Sequence, residues 1–252
     1  MEYFVEKHSI VRRIWGRSDT ILFIFAGASA EFALNKAVDW LYFTGRLPAD
    51  PIGRLFSTVT YARTIVFSEK QVAEKAIASM AAIHADVESK RGSTIPDWAY
   101  RDVLFMLIDY SIRVFEMLEQ DLSNYEKEEV FNVFNRVGLG MGLRGLPTTF
   151  NEWETMRHKH LVLDLHHSVY TDDLFNQYRK HLGTARYRIL LEAQTLVVPS
   201  KVRELLDFRR VSFLYPLVGV YKLLRYIKID GLLRLLVIPT EYKNEIKRLD
   251  NC

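Results

Sequence analysis

Apolar residues recur at spacings of three and four along most of the chain. Proline, glycine or a capping side chain closes each run. The first run, Thr20 to about Phe43, carries Phe23, Phe25, Phe32, Leu34, Val38 and Leu41. It is too dense to keep one wet face and predicts a central helix, ended by the segment Gly45 to Pro48. Asp50 then reads as an N-cap with Pro51 at the first helical position, followed by Ile52, Leu55, Phe56, Val59 and Ala62 on one stripe. Ser68 and Gln71 have the spacing of a capping box for a helix ending near Gly92. Its stripe is Val72, Ala76, Met80, Ile83 and Val87, and His84 falls on it. Asp97 begins another helix, with Val103, Leu104, Leu107, Ile108, Ile112 and Phe115. A second box, Ser123 with Glu126, opens a helix to about Val137, and Thr149 with Glu152 caps the next. Thr171 to Leu182 and Thr184 to Val197 are two more helical stretches, and Pro199, Pro216, Gly231 and Pro239 punctuate the last quarter. Neither period-two alternation nor an internal repeat is found. The pattern predicts one all-α globular domain of eight to eleven helices over residues 1–252, with a C-terminal helical extension from about residue 200.

Composition narrows the class. With 49% hydrophobic residues and a net charge of +3, the chain is neither disordered nor strongly polyionic. Its 12 Gly and 7 Pro exclude a collagen-like or loop-dominated chain. A single cysteine, Cys252, excludes a disulfide framework and a Cys-based zinc site, and suits a reducing, cytoplasmic compartment. No Lys/Arg patch with interleaved aromatics appears, so nucleic acid is not an expected partner. Arg12, Arg13 and Arg17 before the apolar run Ile21 to Ala26, with Ala28-Ser29-Ala30 beyond, have the look of a secretion signal. The run is short and Asp19 abuts it, so a buried helix of the fold is the expectation. No stretch is apolar for long enough to span a bilayer; the closest, Val211 to Val220, is followed by Lys222, Arg225 and Lys228.

Four constellations could carry chemistry. The glycine-rich run Gly138 to Gly145 follows a helix rather than a strand and lacks a Walker lysine, so it reads as a helix end and turn. His158, His160, His166 and His167 lack the i, i+3 or i+4 spacing that places two imidazoles on one helical face, and read as a polar surface or interface segment. His84, on an apolar stripe, is either a core histidine bonded to a neighbour or an axial ligand to a haem iron. Arg54 and Thr58 lie one turn apart on the preceding helix, with Ser57 beside them. They are either a surface ion pair and a back-bonded hydroxyl, or polar groups facing the same pocket. No GxSxG elbow or Cys/His pair supports nucleophilic catalysis.

The segment Asp50-Pro51-Ile52-Gly53-Arg54-Leu55-Phe56-Ser57-Thr58 resembles the DPxxRLxxT motif of the MpaB/rubber oxygenase (latex-clearing protein) family. The likeness continues through Ile83-His84-Ala85-Asp86-Val87, Asp97, Ser111, Phe115-Glu116, the Gly145-Leu146-Pro147 turn and Val198-Pro199. It covers roughly residues 20 to 205. This resemblance implies a globin-like all-α core holding one haem b, with His84 as iron ligand and Arg54 and Thr58 as the polar residues on the oxygen side. It also implies an oxygenase that uses O2 to cleave carbon–carbon double bonds of prenyl or isoprenoid compounds, through a channel lined by residues such as Phe56, Phe105 and Met106. Four features depart from the family: its distal lysine falls at Ser57, a histidine of the next helix at Phe105 and a basic residue at Glu88, and the His-Pro pair of its first helix is absent. These departures leave open a protein that binds an apolar ligand without turning it over. In the last quarter, Arg209, Arg210, Lys222, Arg225, Lys228 and Arg234 alternate with apolar residues, which suits either packing with snorkelling cations or contact with an anionic membrane surface.

Overall fold

The structure, a computed structural model, describes residues 2–43, 45 and 49–226. Ser9 accepts a hydrogen bond from the Val11 amide (3.1 Å) and opens α1 (Ile10–Trp15), whose Val11, Ile14 and Trp15 are fully buried. Trp15 Nε1 donates to Ser111 Oγ (3.2 Å), and Arg63 donates to the Trp15 carbonyl (2.9 Å), so this residue is tied down at its ring and at its backbone. This helix lies ahead of the first run read from the pattern; the Ile10/Ile14 repeat behind Ser9 is its signal.

The run beginning at Thr20 forms two helices rather than one: α2 (Ser18–Phe32) and α3 (Asp39–Phe43). Asn35 breaks it. Its Oδ1 accepts from the Ala37 amide (2.8 Å) and its Nδ2 donates to Asp102 Oδ2 (2.9 Å), so the side chain takes over bonds that a continuing helix would make. Helix α2 is the centre of the domain, packed against α6 (Asp97–Leu118) and the long α9 (Val169–Val197). The approach is closest at Gly27, where a Cβ would stand 2.3 Å from Tyr110 Cε1 and 2.8 Å from Val197 Cγ2.

Helix α4 (Pro51–Phe67) starts as its sequence predicts, with Asp50 Oδ1 accepting from the Gly53 amide (2.8 Å). Helix α5 (Lys70–Arg91) starts one residue later than expected, with Glu69 rather than Ser68 at its N-cap and no side-chain cap bond. The Ser68 amide instead closes α4 on the Thr64 carbonyl (3.1 Å). Glu69 pairs with Tyr3, and the Lys70 amide bonds the Glu2 carbonyl (3.0 Å), which holds this joint extended against the N-terminal segment. The buried face of α5 is also rotated from the expected stripe: Ala73 and Ile77 are buried, while Val72 and Ile83 are exposed. Helix α7 (Asn124–Gly140) has the Ser123/Glu126 capping box and runs three residues past the expected Val137. The glycine run is thus the last turn of α7 and the turn after it. Thr149 caps α8 (Phe150–Leu163). The two stretches expected at the end of the domain are both present in α9, as two helical halves that meet at a kink at Gly183, whose φ of 71° with ψ of 167° is not helical and belongs to glycine. Short α10 (Ser200–Leu205) and α11 (Tyr215–Tyr226) follow. Among the described residues there is no strand, only two isolated bridges. Cys252, Lys228, Gly231, Arg234 and Pro239 lie outside the described residues.

Candidate functional site

One large cavity, of about 920 Å³, opens between α2, α4, α5, α6, α9 and α11. Its wall is overwhelmingly apolar, and its size suits a sizeable organic ligand. Helix α4 presents Arg54, Ser57, Thr58, Tyr61 and Ile65 to it at the three-and-four spacing of one helical face. Helix α5 presents Met80, Ile83 and His84, and α6 presents Tyr100, Val103 and Leu107. Arg54, Thr58 and His84 therefore line one cavity. Phe56 and Met106 line it too. Phe105 does not: it is 2% exposed and packs edge-on against Trp153, with ring centroids 6.4 Å apart, in the core behind the wall.

The imidazole of His84 is pinned. Its Nδ1 lies 2.8 Å from the Met80 carbonyl oxygen, one turn back on the same helix. A carbonyl only accepts, so Nδ1 carries the hydrogen and Nε2 keeps its lone pair. Burial pushes this histidine below its ordinary pKa, and the charge of Arg54 pushes it the same way; the Met80 bond and Glu88 pull in the other direction. The ring stays neutral, and its edge meets Tyr100 with centroids 5.2 Å apart at 72°. Glu88, the acid standing at a basic family position, has a clear task. One of its oxygens takes both the Ile95 amide (2.8 Å) and the Tyr100 hydroxyl (3.1 Å), fixing the α5–α6 turn and the ring that packs on His84. Ser57 is exposed on the cavity wall. Thr58 Oγ1 donates to the Arg54 carbonyl (3.2 Å).

A pinned neutral imidazole with Nε2 free, on the wall of an apolar cavity, is the donor arrangement that a haem iron takes, and the residues present fit that group.

A second polar centre lies in the core and was not legible as such. Glu31 of α2 is wholly buried and meets both terminal guanidinium nitrogens of Arg157, the Nη2–Oε2 bond being 2.7 Å. Arg157 also donates through Nε (3.0 Å) and Nη2 (2.8 Å) to Asp109 Oδ2. Tyr110 Oη donates to Glu31 (2.9 Å), and His160 Nε2 lies 2.8 Å from Glu31 Oε1. His160 Nδ1 stands 2.8 Å from Asp102 Oδ1, close but poorly aligned for a linear bond. Burial raises the Glu31 carboxyl, but the charge and hydrogen bonds of Arg157, then of His160, outweigh it and leave the pKa at about 2. For His160, burial acts downward, and the bonds to Asp102 and Glu31 turn the net shift upward. The one reading that the structure corrects outright among the histidines is this: His160 is 2% exposed rather than part of a polar surface, while His158, His166 and His167 are exposed. The signal was the charge inside apolar stripes: Glu31 in the first run, Asp102 and Asp109 two turns apart on α6, Arg157 and His160 one turn apart on α8. Asp102, His160 and Asp164 also bring ligand atoms within 4.8 Å of one another, a donor set able to hold a metal ion. Both nitrogens of His160 face carboxylates, which is why its pKa moves upward.

Fold and site together define an all-α protein built around an apolar cavity whose wall carries a histidine, an arginine and a threonine. The sequence matches the family described as the ER-bound oxygenase mpaB/B′/rubber oxygenase catalytic domain over residues 5–225, and the chain belongs to that family. The family is one of oxygenases. Comparison with curated proteins and with solved structures finds no match.

Proposed function

We propose that the chain is a haem-b-dependent oxygenase that uses O2 on an apolar, prenyl- or isoprenoid-like substrate. The observation that carries this reading is the convergence of His84, Arg54 and Thr58 on one apolar cavity, with His84 Nδ1 already committed to Met80. Haem, when bound, supplies the binding and activation of O2, chemistry that no side chain offers. His84 would hold the iron through Nε2, and the Met80 carbonyl and the Tyr100 ring keep the imidazole in the tautomer and orientation that such a bond needs. Arg54 contributes a permanent positive charge and N–H donors, which favour negative charge developing on oxygen inside a low-dielectric wall. Thr58 keeps its proton on the Arg54 carbonyl and can turn it toward the cavity. The apolar lining excludes water and admits a greasy chain.

Oxygen consumption by haem-loaded protein, with a prenylated test compound, tests this. Turnover to a carbonyl-ended fragment is expected, and Arg54→Leu should slow it by about tenfold or more. No oxygen uptake with any prenylated compound would favour a protein that binds an apolar ligand without chemistry, the reading that Ser57 in place of lysine supports.

Peripheral contact with a membrane is supported by the surface beside the cavity. Phe213, Leu217, Val220 and Leu223 are exposed there, alongside Arg210 and Lys222. No described helix is long and apolar enough to cross a membrane. Co-sedimentation with anionic vesicles should drop in a Phe213→Ser, Leu217→Ser variant; unchanged binding removes this contact.

A further inference from the structure

The cavity contains a charge that neither the fold nor the oxygen chemistry uses. The second half of α9 lays Leu182, Arg186, Ile189, Leu190, Ala193 and Leu196 along the wall, at three-and-four spacing. Arg186 is the one charged residue in that stripe. It is half-buried, and among the described residues no carboxylate or carbonyl partner is seen for it. The half-buried and buried arginines elsewhere are answered: Arg91 by Asp39 (2.7 Å), Arg63 by the Trp15 carbonyl (2.9 Å), Arg136 by the Phe4 carbonyl (2.7 Å). Among the described residues Asp19 is the one acid on the cavity wall, and it is already engaged by the Tyr221 hydroxyl (2.6 Å) and the Thr20 amide (2.8 Å).

A guanidinium cannot shed its proton, so a half-buried one against an apolar wall favours an anion. Its planar fork matches a carboxylate, and a single arginine balances a single negative charge. A diphosphate, with several charges, would call for more cations than the single arginine that α9 lays along this wall.

We propose that Arg186 anchors a carboxylate in this cavity, so that the occupant is amphipathic: an apolar body lying on the helical walls, with a carboxylate at its edge on the guanidinium. The proposal rests on the cavity assigned above and names the ligand class it takes. Two sources offer that chemistry, an apolar carboxylic acid as substrate and the carboxylate arms of the haem, and the test separates them.

Trp40 lines the cavity, so its fluorescence reports filling. Haem-free protein is titrated with geranylgeranoic acid and with geranylgeraniol, which share one chain and differ in the end group. The acid should bind about tenfold or more tighter than the alcohol, the effect of one charge-assisted pair. Arg186→Met should erase that preference with alcohol affinity unchanged, and Arg186→Lys should keep part of it. In the second arm, wild type and Arg186→Met take up haem and its dimethyl ester. A selective loss of haem over the ester in Arg186→Met, with the acid preference intact, assigns the anchor to the cofactor's carboxylates. Equal acid and alcohol binding in wild type, with equal uptake of haem and ester by both proteins, overturns the proposal. Retained acid preference and haem uptake in Arg186→Met overturns it as well. Arg186→Gln replaces Arg186→Met where circular dichroism shows the latter misfolded. The first arm needs no haem, so a failure of the haem reading leaves its result standing.

Discussion

Replacing Arg157 by methionine removes the one guanidinium among the described residues that touches both Glu31 and Asp109, in a place buried from solvent. Glu31 is fully buried and Asp109 nearly so, and Arg157 makes four hydrogen bonds to the pair. Breaking a buried pair from one side typically costs about 3–5 kcal/mol. The titration of Glu31 gives the same scale: a carboxyl lowered from 4.5 to about 2 corresponds to about 3 kcal/mol at about 1.4 kcal/mol per unit. The sign follows from that lowering. Glu31's stabilisation is complete above its unfolded value near 4.5 and is lost as pH falls toward about 2. Arg157→Met should therefore lower the urea midpoint at pH 7 by about 1–2 M, for a denaturant slope of about 2–3 kcal/mol per molar. The gap to wild type should narrow steadily below pH 4.5. Adding Glu31→Gln should cost the variant less than it costs wild type, with a coupling of about 1–3 kcal/mol. A loss under about 1 kcal/mol, or strict additivity in the double variant, would show that the network is not what holds α2, α6 and α8 together.

Other consequences can be measured separately. Asp50→Ala should destabilise by about 1 kcal/mol, because the Gly53 amide loses its acceptor at the start of the helix bearing Arg54; equilibrium unfolding checks it. Gly183→Ala should cost about 1–3 kcal/mol, since the kink in α9 holds a backbone conformation that alanine resists; a stability equal to wild type would mean the kink moves freely. Arg54→Gln should raise the His84 titration midpoint, followed by NMR of the imidazole protons, because removal of a like charge makes the imidazolium less costly. An unchanged midpoint would place Arg54 too far away to act on the ring.

Much of the fold could be read because local signals and tertiary packing agreed. Asp50–Pro51, the Ser123/Glu126 box and Thr149 each start a helix where their chemistry says they should. The misreadings occurred where distant chain intervened. Asn35 is drawn into bonds with Asp102, 67 residues away, and ends α2 early. The N-terminal segment pairs with Glu69 and overrides the Ser68 box. At the site, the spacing of Arg54, Thr58 and His84 was visible, but only packing brings two helices to one cavity. Arg186 was hidden because periodicity alone cannot say whether a charge in an apolar stripe meets a cavity, a partner or solvent. The Glu31–Arg157–His160 centre was hidden for the same reason, its members lying 126 and 129 residues apart.

The bond between His84 Nε2 and a haem iron is tested most directly by the absorption spectrum of purified, haem-supplied protein, oxidised and then reduced with dithionite. A Soret band that shifts on reduction is expected in wild type and should be lost in His84→Ala, with helical circular dichroism preserved. Protein that takes up no haem, or a His84→Ala spectrum identical to wild type, would contradict it.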